Sequence, residues 1–159
     1  MTQSDPEQED TFDLARFTTA QEGVYNRALA EIRAGDKRSH WMWFIFPQID
    51  GLGFSSTTKQ FAIKSPEEAS EYLAHPVLGQ RLRECAEAVL AVEGRSAHEI
   101  FGSPDEMKLK SCMTLFETVA GRDSVFGRVL DKFYQGQRDA KTLAILAAMK
   151  EREGGTKHG

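Results

Sequence analysis

The chain has 159 residues and a mass of 17.8 kDa, which is the size of one ordinary domain. Hydrophobic residues make up 40% and charged residues 28% of the sequence, a balance typical of globular proteins and not of disordered or fibrous ones. The net charge of -4 argues against a long nucleic-acid-binding face. The sequence contains no apolar run of about 18 residues, so we expect no membrane-spanning helix and a cytoplasmic location.

The two ends of the chain differ in composition from its middle. Residues 1–11 are polar and acidic, and residues 151–159 are charged and rich in glycine. Neither segment can bury much apolar surface. We therefore predict a disordered acidic tail over residues 1–11, a single helical domain over residues 12–150 and a flexible tail over residues 151–159.

The first predicted element is a helix over residues 13–34. Its apolar residues recur at helical spacing and form one buried face. The residues of this face are Leu14, Phe17, Val24, Ala28 and Ile32. Asp13 is the expected N-cap, and Gly35 is expected to end the helix in a left-handed conformation.

Residues 40–46 are almost entirely apolar, with the sequence HWMWFIF, and are followed by Pro47. A run this short fits either a buried strand or a buried helical turn. Its aromatic content favours a strand, although the surrounding chain offers no partner strand. The glycines at Gly51 and Gly53 then indicate a loop that continues to Thr58.

The second half of the chain is marked by three apparent capping boxes, in which a glutamate follows a serine by three residues. They begin at Ser65, Ser96 and Ser103. Together with apolar periodicity and terminal glycines, they predict the remaining helices. These helices span about residues 66–74, 76–93, 97–101, 104–120, 124–135 and 140–150. We expect Asp139 to cap the last one. The prediction is an all-α domain, with at most one short strand near Trp43.

Both tryptophans of the chain, Trp41 and Trp43, lie beside two cations and a histidine. One interpretation is that these aromatic side chains only pack in the core. The other is that the indoles and the His40 imidazole wall a pocket for a flat ring, where Lys37 or Arg38 meets an anionic group. In that pocket His40 is the candidate acid or base, because histidine titrates near neutral pH.

The loop that contains Gly51, Gly53 and Ser55 has two interpretations as well. It is either a plain turn, which is the commoner use of such glycines, or a site where backbone amides and the Ser55 hydroxyl bind an anion. The loop lacks the lysine and the hydroxyl residue that end a P-loop.

Three polar residues of the predicted helix over residues 104–120 share one side by i+3 and i+4 spacing. They are Lys110, Ser111 and Thr114. They form either a solvated helix face or part of the same pocket as the tryptophans, since hydroxyl groups inside a helix are otherwise mildly unfavourable.

The remaining residues with reactive side chains show no catalytic or metal-binding spacing. Cys112 lies on the apolar side of its predicted helix, and we expect it and Cys85 to be packed, reduced thiols. The four histidines follow no metal-ligand pattern. We therefore predict no metal site and no cofactor.

The sequence KRSHWMWFIFPQI at residues 37–49, followed by Gly51-Leu52-Gly53 and Ser55, resembles the signature of a bacterial family known as domain of unknown function 1810. Members of this family are often wrongly given the name calpastatin. The resemblance spans about residues 12–146 and includes residues 111–116. It implies a small, mostly helical cytosolic domain with no established activity.

A fainter likeness links the chain to the NADAR family of ADP-ribose-related N-glycosidases. It rests on the spacing of Lys108, Met113 and Phe116 and on the pair Thr142-Leu143. The likeness implies a nucleotide or an ADP-ribose derivative as the ligand class.

Our leading hypothesis is that two distant segments form one pocket for a small anionic aromatic ligand. His40 is its candidate catalytic residue. The candidate binding residues are Lys37, Ser39, Trp41, Trp43, Gln48, Gly51, Gly53, Ser55, Lys110, Ser111 and Thr114. The alternative is a protein-interaction or regulatory module that uses the aromatic segment 40–46 as an exposed anchor.

Overall fold

The computed structural model describes residues 10–158, with side chains for residues 10–152, so most of the predicted acidic tail lies outside the described residues. Residues 10–158 contain ten helices. They are α1 (Ala15–Gln21), α2 (Tyr25–Arg33), α3 (Met42–Ile45), α4 (Ser56–Phe61), α5 (Pro66–Ala74), α6 (Leu78–Ala91), α7 (Ala97–Phe101), α8 (Asp105–Ala120), α9 (Val125–Phe133) and α10 (Ala140–His158). The β pairing of this part of the chain is one isolated bridge between Ile49 and Ile63. The all-α prediction is therefore confirmed.

The predicted first helix over residues 13–34 is wrong, because the structure divides it into α1 and α2. Gly23 lies between them with φ of 73°, a left-handed conformation that interrupts a right-handed helix. Gly35 follows α2 with φ of 69°, and its N–H donates to the carbonyl of Ile32 at 2.8 Å. The second helix therefore ends where the sequence predicts.

The sequence suggested Asp13 as the cap of the first helix. In the structure, Asp10 caps the N-terminus of α1 instead. The carboxylate of Asp10 accepts the backbone N–H groups of Leu14 and Ala15 at 2.6 and 2.5 Å. Asp13 itself has a positive φ of 55°, which lies outside the β-region conformation of an ordinary N-cap.

One of the three predicted capping boxes forms completely. Ser96 and Glu99 each accept the other's backbone N–H. Ser65 caps α5, but the Glu68 carboxylate accepts the N–H of the residue before Ser65 instead of completing the box. Ser103 caps no helix, since the N-cap position of α8 is the proline that follows it.

Residues 42–45 form the short helix α3, so of the two structures that the sequence left open near Trp43 the helical turn is the one that forms. The N–H of Ile45 donates to the carbonyl of Trp41 at 3.1 Å, and the N–H of Phe46 donates to that of Met42 at 3.0 Å. These local bonds satisfy the backbone without a partner strand, while the side chains still reach the core.

The helix α8 lies at the centre of the fold, where it contacts α5, α7, α9 and α10. Its side chain Phe116 has no exposed surface, and its ring lies 5.4 Å from that of Tyr72 and 5.9 Å from that of Phe126. Burying one such side chain stabilises a fold by about 1.5–3 kcal/mol. The buried position of α8 fixes the polar groups on its first turns.

The last helix, α10, begins as predicted and ends later than predicted. Asp139 accepts the N–H of Thr142 at 3.0 Å and its hydroxyl at 2.6 Å, which confirms the predicted cap. The helix continues past residue 150 to His158. Residues 150–153 are good helix formers, whereas Gly154 and Gly155 are not. Among residues 10–158, no helix is both long and apolar enough to cross a membrane.

Candidate functional site

The carboxylate of Glu31 on α2 organises the segment that leads to the tryptophans. It accepts the N–H of Arg38 at 2.9 Å, the hydroxyl of Ser39 at 2.6 Å and the indole N–H of Trp41 at 2.8 Å. Burial acts to raise the pKa of Glu31, but these hydrogen bonds outweigh it and lower the pKa to about 2. Glu31 is therefore ionised at neutral pH and holds this segment in one conformation.

The Ser39 hydroxyl and the Trp41 indole N–H are therefore both bonded to Glu31 and are not free to bind a ligand. The Trp41 side chain has no exposed surface, its indole N–H is satisfied by Glu31, and its ring packs 6.5 Å from Phe101 and 6.3 Å from Phe46. Trp41 therefore packs in the core, and no ligand can reach its ring.

Lys37 connects the same segment to the start of α8. Its ammonium lies 2.8 Å from the carboxylate of Asp105, donates to the carbonyl of Ser39 at 2.7 Å and sits 5.0 Å from the centre of the Trp41 ring. Its side chain is 7% exposed. The charge of Lys37 is therefore satisfied by protein groups.

Gln48 and Ser111, which lie far apart in the sequence, meet directly. The Gln48 amide donates from Nε2 to Ser111 Oγ at 2.6 Å, and the Ser111 hydroxyl in turn donates to the carbonyl of Lys108 at 3.1 Å. Ser111 is buried and Gln48 is half-buried, so this contact joins the aromatic segment to the first turns of α8.

Trp43 is half-buried beside this contact. The ammonium of Lys108 sits 5.0 Å from the centre of its ring and 3.7 Å from the carboxylate of Asp105. Lys108 is not among the candidate binding residues that the sequence suggested. Its position three residues after Asp105 and three before Ser111 was the signal that could have placed it here.

Lys110 and Thr114 face a neighbouring side of α8. The ammonium of Lys110 lies 5.9 Å from the centre of the Tyr134 ring, and it forms no ion pair within residues 10–152. Thr114 is fully buried. Its hydroxyl donates to the carbonyl of Lys110 at 2.8 Å and accepts the N–H of Asp139 at 2.9 Å, so Thr114 positions the start of α10.

The glycine loop has the features of a plain turn. Ser55 caps α4 by accepting the N–H of Thr58 at 3.1 Å. Gly51 has φ of 112°, and a Cβ there would lie 3.2 Å from Ile145 Cδ1, while one at Gly53 would lie 2.8 Å from Thr58 Cγ2. The loop therefore needs its glycines for its own conformation and packing.

His40 is exposed, whereas residues 41–46 are buried or half-buried. Within the described part of the chain, its imidazole forms no hydrogen bond or ion pair. It is accessible to a ligand but is not oriented by any neighbouring group.

The two cysteines, Cys85 and Cys112, are buried and unpaired by disulfide. Burial raises the pKa of Cys85 to about 12 and raises the pKa of Cys112 well above its ordinary value. Both thiols therefore stay protonated at neutral pH, as the sequence predicts. Within residues 10–152, no three metal-ligating side chains lie close enough together to hold a metal ion.

We define the α8 face as the surface formed by Trp43, Gln48 and Lys108 at the start of α8, with Ser111 buried beneath it and Lys110 on the neighbouring side of the helix. The two described cavities lie elsewhere and contain none of the predicted site residues. One, of about 530 Å³, adjoins the turn between α5 and α6, and the other, of about 340 Å³, lies between α2 and α6.

Comparison with known proteins agrees with this helical architecture. The chain matches the family described as "Protein of unknown function (DUF1810)" over residues 11–146, so it belongs to that family, and the resemblance seen in the sequence is confirmed. A similar solved structure is that of the conserved hypothetical protein Rv1873 from Mycobacterium tuberculosis. It is 51% identical, has a TM-score of 0.84 and aligns over 87% of this chain and 99% of that one. The chain matches no curated protein.

Proposed function

We propose that the α8 face binds a small anionic molecule with an aromatic ring, such as a nucleotide or an ADP-ribose derivative, in the cytoplasm. The hydrogen bond of 2.6 Å between Gln48 and Ser111 carries this proposal. It joins the aromatic segment to the first turns of α8, beside the half-buried Trp43 ring and the Lys108 ammonium, and Lys110 lies on the neighbouring side of the helix. Aromatic and cationic groups side by side are what a nucleotide requires of a binding surface.

The lysines near the start of α8 differ in how firmly protein groups hold them. Lys37 lies 2.8 Å from Asp105, whereas Lys108 lies 3.7 Å from the same residue and is 22% exposed. The ammonium of Lys108 can therefore turn from Asp105 towards an incoming phosphate at small cost. Lys110 has no carboxylate partner within residues 10–152, which leaves its charge available to the same ligand.

The aromatic part of the ligand has two apolar surfaces available. Trp43 is half-buried, so part of its indole is accessible beside Lys108. Met107 is 50% exposed and lies one helical turn before Ser111. A stacked ring pair contributes about 0.5–1.5 kcal/mol beyond the apolar area that it buries.

A thermal-shift and calorimetric comparison tests this proposal. The probes are AMP and ADP-ribose, with adenosine lacking the phosphate and ribose 5-phosphate lacking the ring. We expect AMP and ADP-ribose to raise Tm, since a ligand at 100 times its Kd stabilises a protein by about 2.7 kcal/mol. We expect the two truncated probes to bind at least about tenfold more weakly. Equal binding of ribose 5-phosphate and AMP, or no shift with any probe, contradicts the proposal.

Lysine variants locate the site. Lys108→Gln and Lys110→Gln are expected to weaken AMP binding by about tenfold each, because each removes one charge-assisted contact. Lys150→Gln, on the exposed side of α10, is the matched control and is expected to bind as wild type. If all three variants bind AMP with the wild-type affinity, the site does not lie at the α8 face.

His40 is the candidate acid or base if the bound ligand is turned over. It is exposed and within the segment that Glu31 fixes. His40→Ala is then expected to abolish turnover of ADP-ribose and leave its Kd unchanged. Turnover at the wild-type rate in this variant rules out a catalytic role for His40.

The protein-interaction alternative has less support from the geometry. It requires the segment 40–46 to present an exposed aromatic anchor. Trp41, Met42, Ile45 and Phe46 are instead buried, and these side chains offer no surface to a partner.

A further inference from the structure

The larger of the two described cavities lies at the turn between α5 and α6, away from the α8 face. Residues 75–79, with the sequence HPVLG, form the turn between α5 and α6. A Cβ at Gly79 would lie 2.0 Å from the carbonyl oxygen of Leu73, so only glycine allows α6 to approach the end of α5 this closely. The result is the α5–α6 cleft, a cavity of about 530 Å³ with apolar walls from Leu73, Ala74 and Pro76.

His75 supplies an oriented hydrogen-bond donor at this cleft. Its Nδ1 accepts the backbone N–H groups of Val77 and Leu78 at 3.1 and 3.2 Å. Because Nδ1 acts as an acceptor, the proton of the neutral ring lies on Nε2. Nε2 forms no hydrogen bond within the described residues, and His75 lines the cavity.

The cleft also holds three charged side chains, Arg83, Glu84 and Glu87. Glu84 is bonded to the Tyr25 hydroxyl and to Arg33, whereas Arg83 and Glu87 do not pair with each other. Arg83 and Glu87 lie four residues apart on α6, a spacing at which such side chains normally form an ion pair. Arg83 instead donates from Nη1 to the carbonyl of Leu73 at 3.3 Å. Glu87 forms neither a hydrogen bond nor an ion pair within residues 10–152. Both side chains line the cavity, about one helical turn apart.

We propose that the α5–α6 cleft binds a zwitterionic amino acid with an apolar side chain. The carboxylate of the ligand binds the Arg83 guanidinium and the His75 Nε2–H, and its ammonium binds the Glu87 carboxylate. The apolar side chain packs on Leu73 and Pro76. Because Glu84 is already bonded to Tyr25 and Arg33, Arg83 and Glu87 are the charges left for a ligand, and a ligand that carries both charges satisfies them together.

A titration of the full chain followed by ¹H–¹⁵N NMR tests this proposal with three probes. L-leucine carries both charges, N-acetyl-L-leucine lacks the ammonium and L-leucinamide lacks the carboxylate. We expect L-leucine to shift the amide signals of Gln80, Arg83 and Glu87 with a Kd of about 1 mM, and each blocked probe to bind about tenfold more weakly. Equal shifts from all three probes, or no shift at these residues with L-leucine, overturn the proposal.

Two variants and a control separate binding from folding. Glu87→Gln removes a carboxylate that has no bond to lose in the structure, and it is expected to weaken L-leucine binding about tenfold. Glu71→Gln, at an exposed position of α5, is expected to have no effect. Arg83→Gln is expected to weaken binding as well, but it also removes the bond to Leu73. Wild-type affinity in Glu87→Gln therefore overturns the proposal regardless of Arg83.

Discussion

The α8 face and the α5–α6 cleft are both rich in polar groups, but they use them differently. On the α8 face, Gln48 bonds to Ser111, and Lys108 lies 3.7 Å from Asp105. In the cleft, Glu87 has no partner within residues 10–152, and the Arg83 guanidinium makes a single long bond of 3.3 Å.

This difference shows that polar residues have to be judged by their partners as well as by their type. The sequence of the α8 face suggests a pocket because it concentrates aromatic and cationic residues. In the structure, Gln48 and Ser111 bond to each other and join two segments of the chain. The sequence does not predict the cleft, yet the cleft contains two charged side chains, Arg83 and Glu87, that a ligand can pair with.

The largest expected effect is on the turn that forms the cleft. Gly79→Ala places a methyl group 2.0 Å from a backbone oxygen, which forces α5 and α6 apart and lowers the free energy of unfolding by about 3 kcal/mol. Urea denaturation measures this change.

A second glycine provides the control for Gly79→Ala. Gly94 has φ of 79° and nothing within 4 Å of the added Cβ, so Gly94→Ala carries only the conformational cost of about 1 kcal/mol. Equal losses in the two variants would show that the close approach of α6 to Leu73 is unimportant.

The next effect is on the network beneath the α8 face. Glu31→Gln removes the charge that accepts bonds from Arg38, Ser39 and Trp41, and it is expected to lower the free energy of unfolding by about 2 kcal/mol at neutral pH. Denaturation with urea gives the value. A variant as stable as wild type would mean that this network does not hold the segment.

The contribution of Glu31 should also depend on pH. Its pKa is about 2 in the folded protein and 4.5 in the reference state. Because folding lowers the pKa, the stabilisation is complete above pH 4.5 and is lost as the pH falls towards about 2. The stability difference between wild type and Glu31→Gln is therefore expected to shrink between pH 5 and pH 3. A difference that stays constant over this range contradicts the assignment.

A smaller effect is expected at the contact that joins the two segments of the α8 face. A double-mutant cycle of Gln48→Ala and Ser111→Ala should give a coupling energy of about 1 kcal/mol, the usual net value of one hydrogen bond. The control cycle pairs Gln48→Ala with Ser55→Ala, which bonds to Thr58 instead. Coupling of the same size in both cycles would show that the Gln48–Ser111 bond is not specific.

The smallest effect is expected at His40. Because its side chain is exposed and bonded to no described residue, His40→Ala should change the free energy of unfolding by less than about 0.5 kcal/mol. A loss of more than about 1 kcal/mol, measured by urea denaturation, would show a structural role that the described contacts do not contain.

The sequence predicted most helices because their starts and ends depend on neighbouring residues. Ser65, Ser96 and Asp139 mark helix starts by local hydrogen bonds, and these starts appear in the structure. Gly23 was missed because the apolar spacing continues across it, and only its backbone angle divides the helix. The short α3 was ambiguous because a turn of helix and a short strand bury the same aromatic residues.

The candidate site was predictable only in part. Gln48 meets Ser111, so the two distant segments come together as predicted, but neither residue lines one of the two described cavities. The core position of Trp41 was not predictable, because it depends on Glu31 accepting its indole N–H. The cleft was missed because its formation depends on the approach of Gly79 to Leu73 in three dimensions.

The indole N–H signals of Trp41 and Trp43 test the central claim of ligand binding at the α8 face most directly. The two signals can be assigned with Trp43→Phe and followed by ¹H–¹⁵N NMR during addition of ADP-ribose. Our account predicts that the Trp43 signal shifts in a saturable manner, while the signal of buried Trp41 stays close to its starting position. An unchanged Trp43 signal at saturating ADP-ribose would contradict the account.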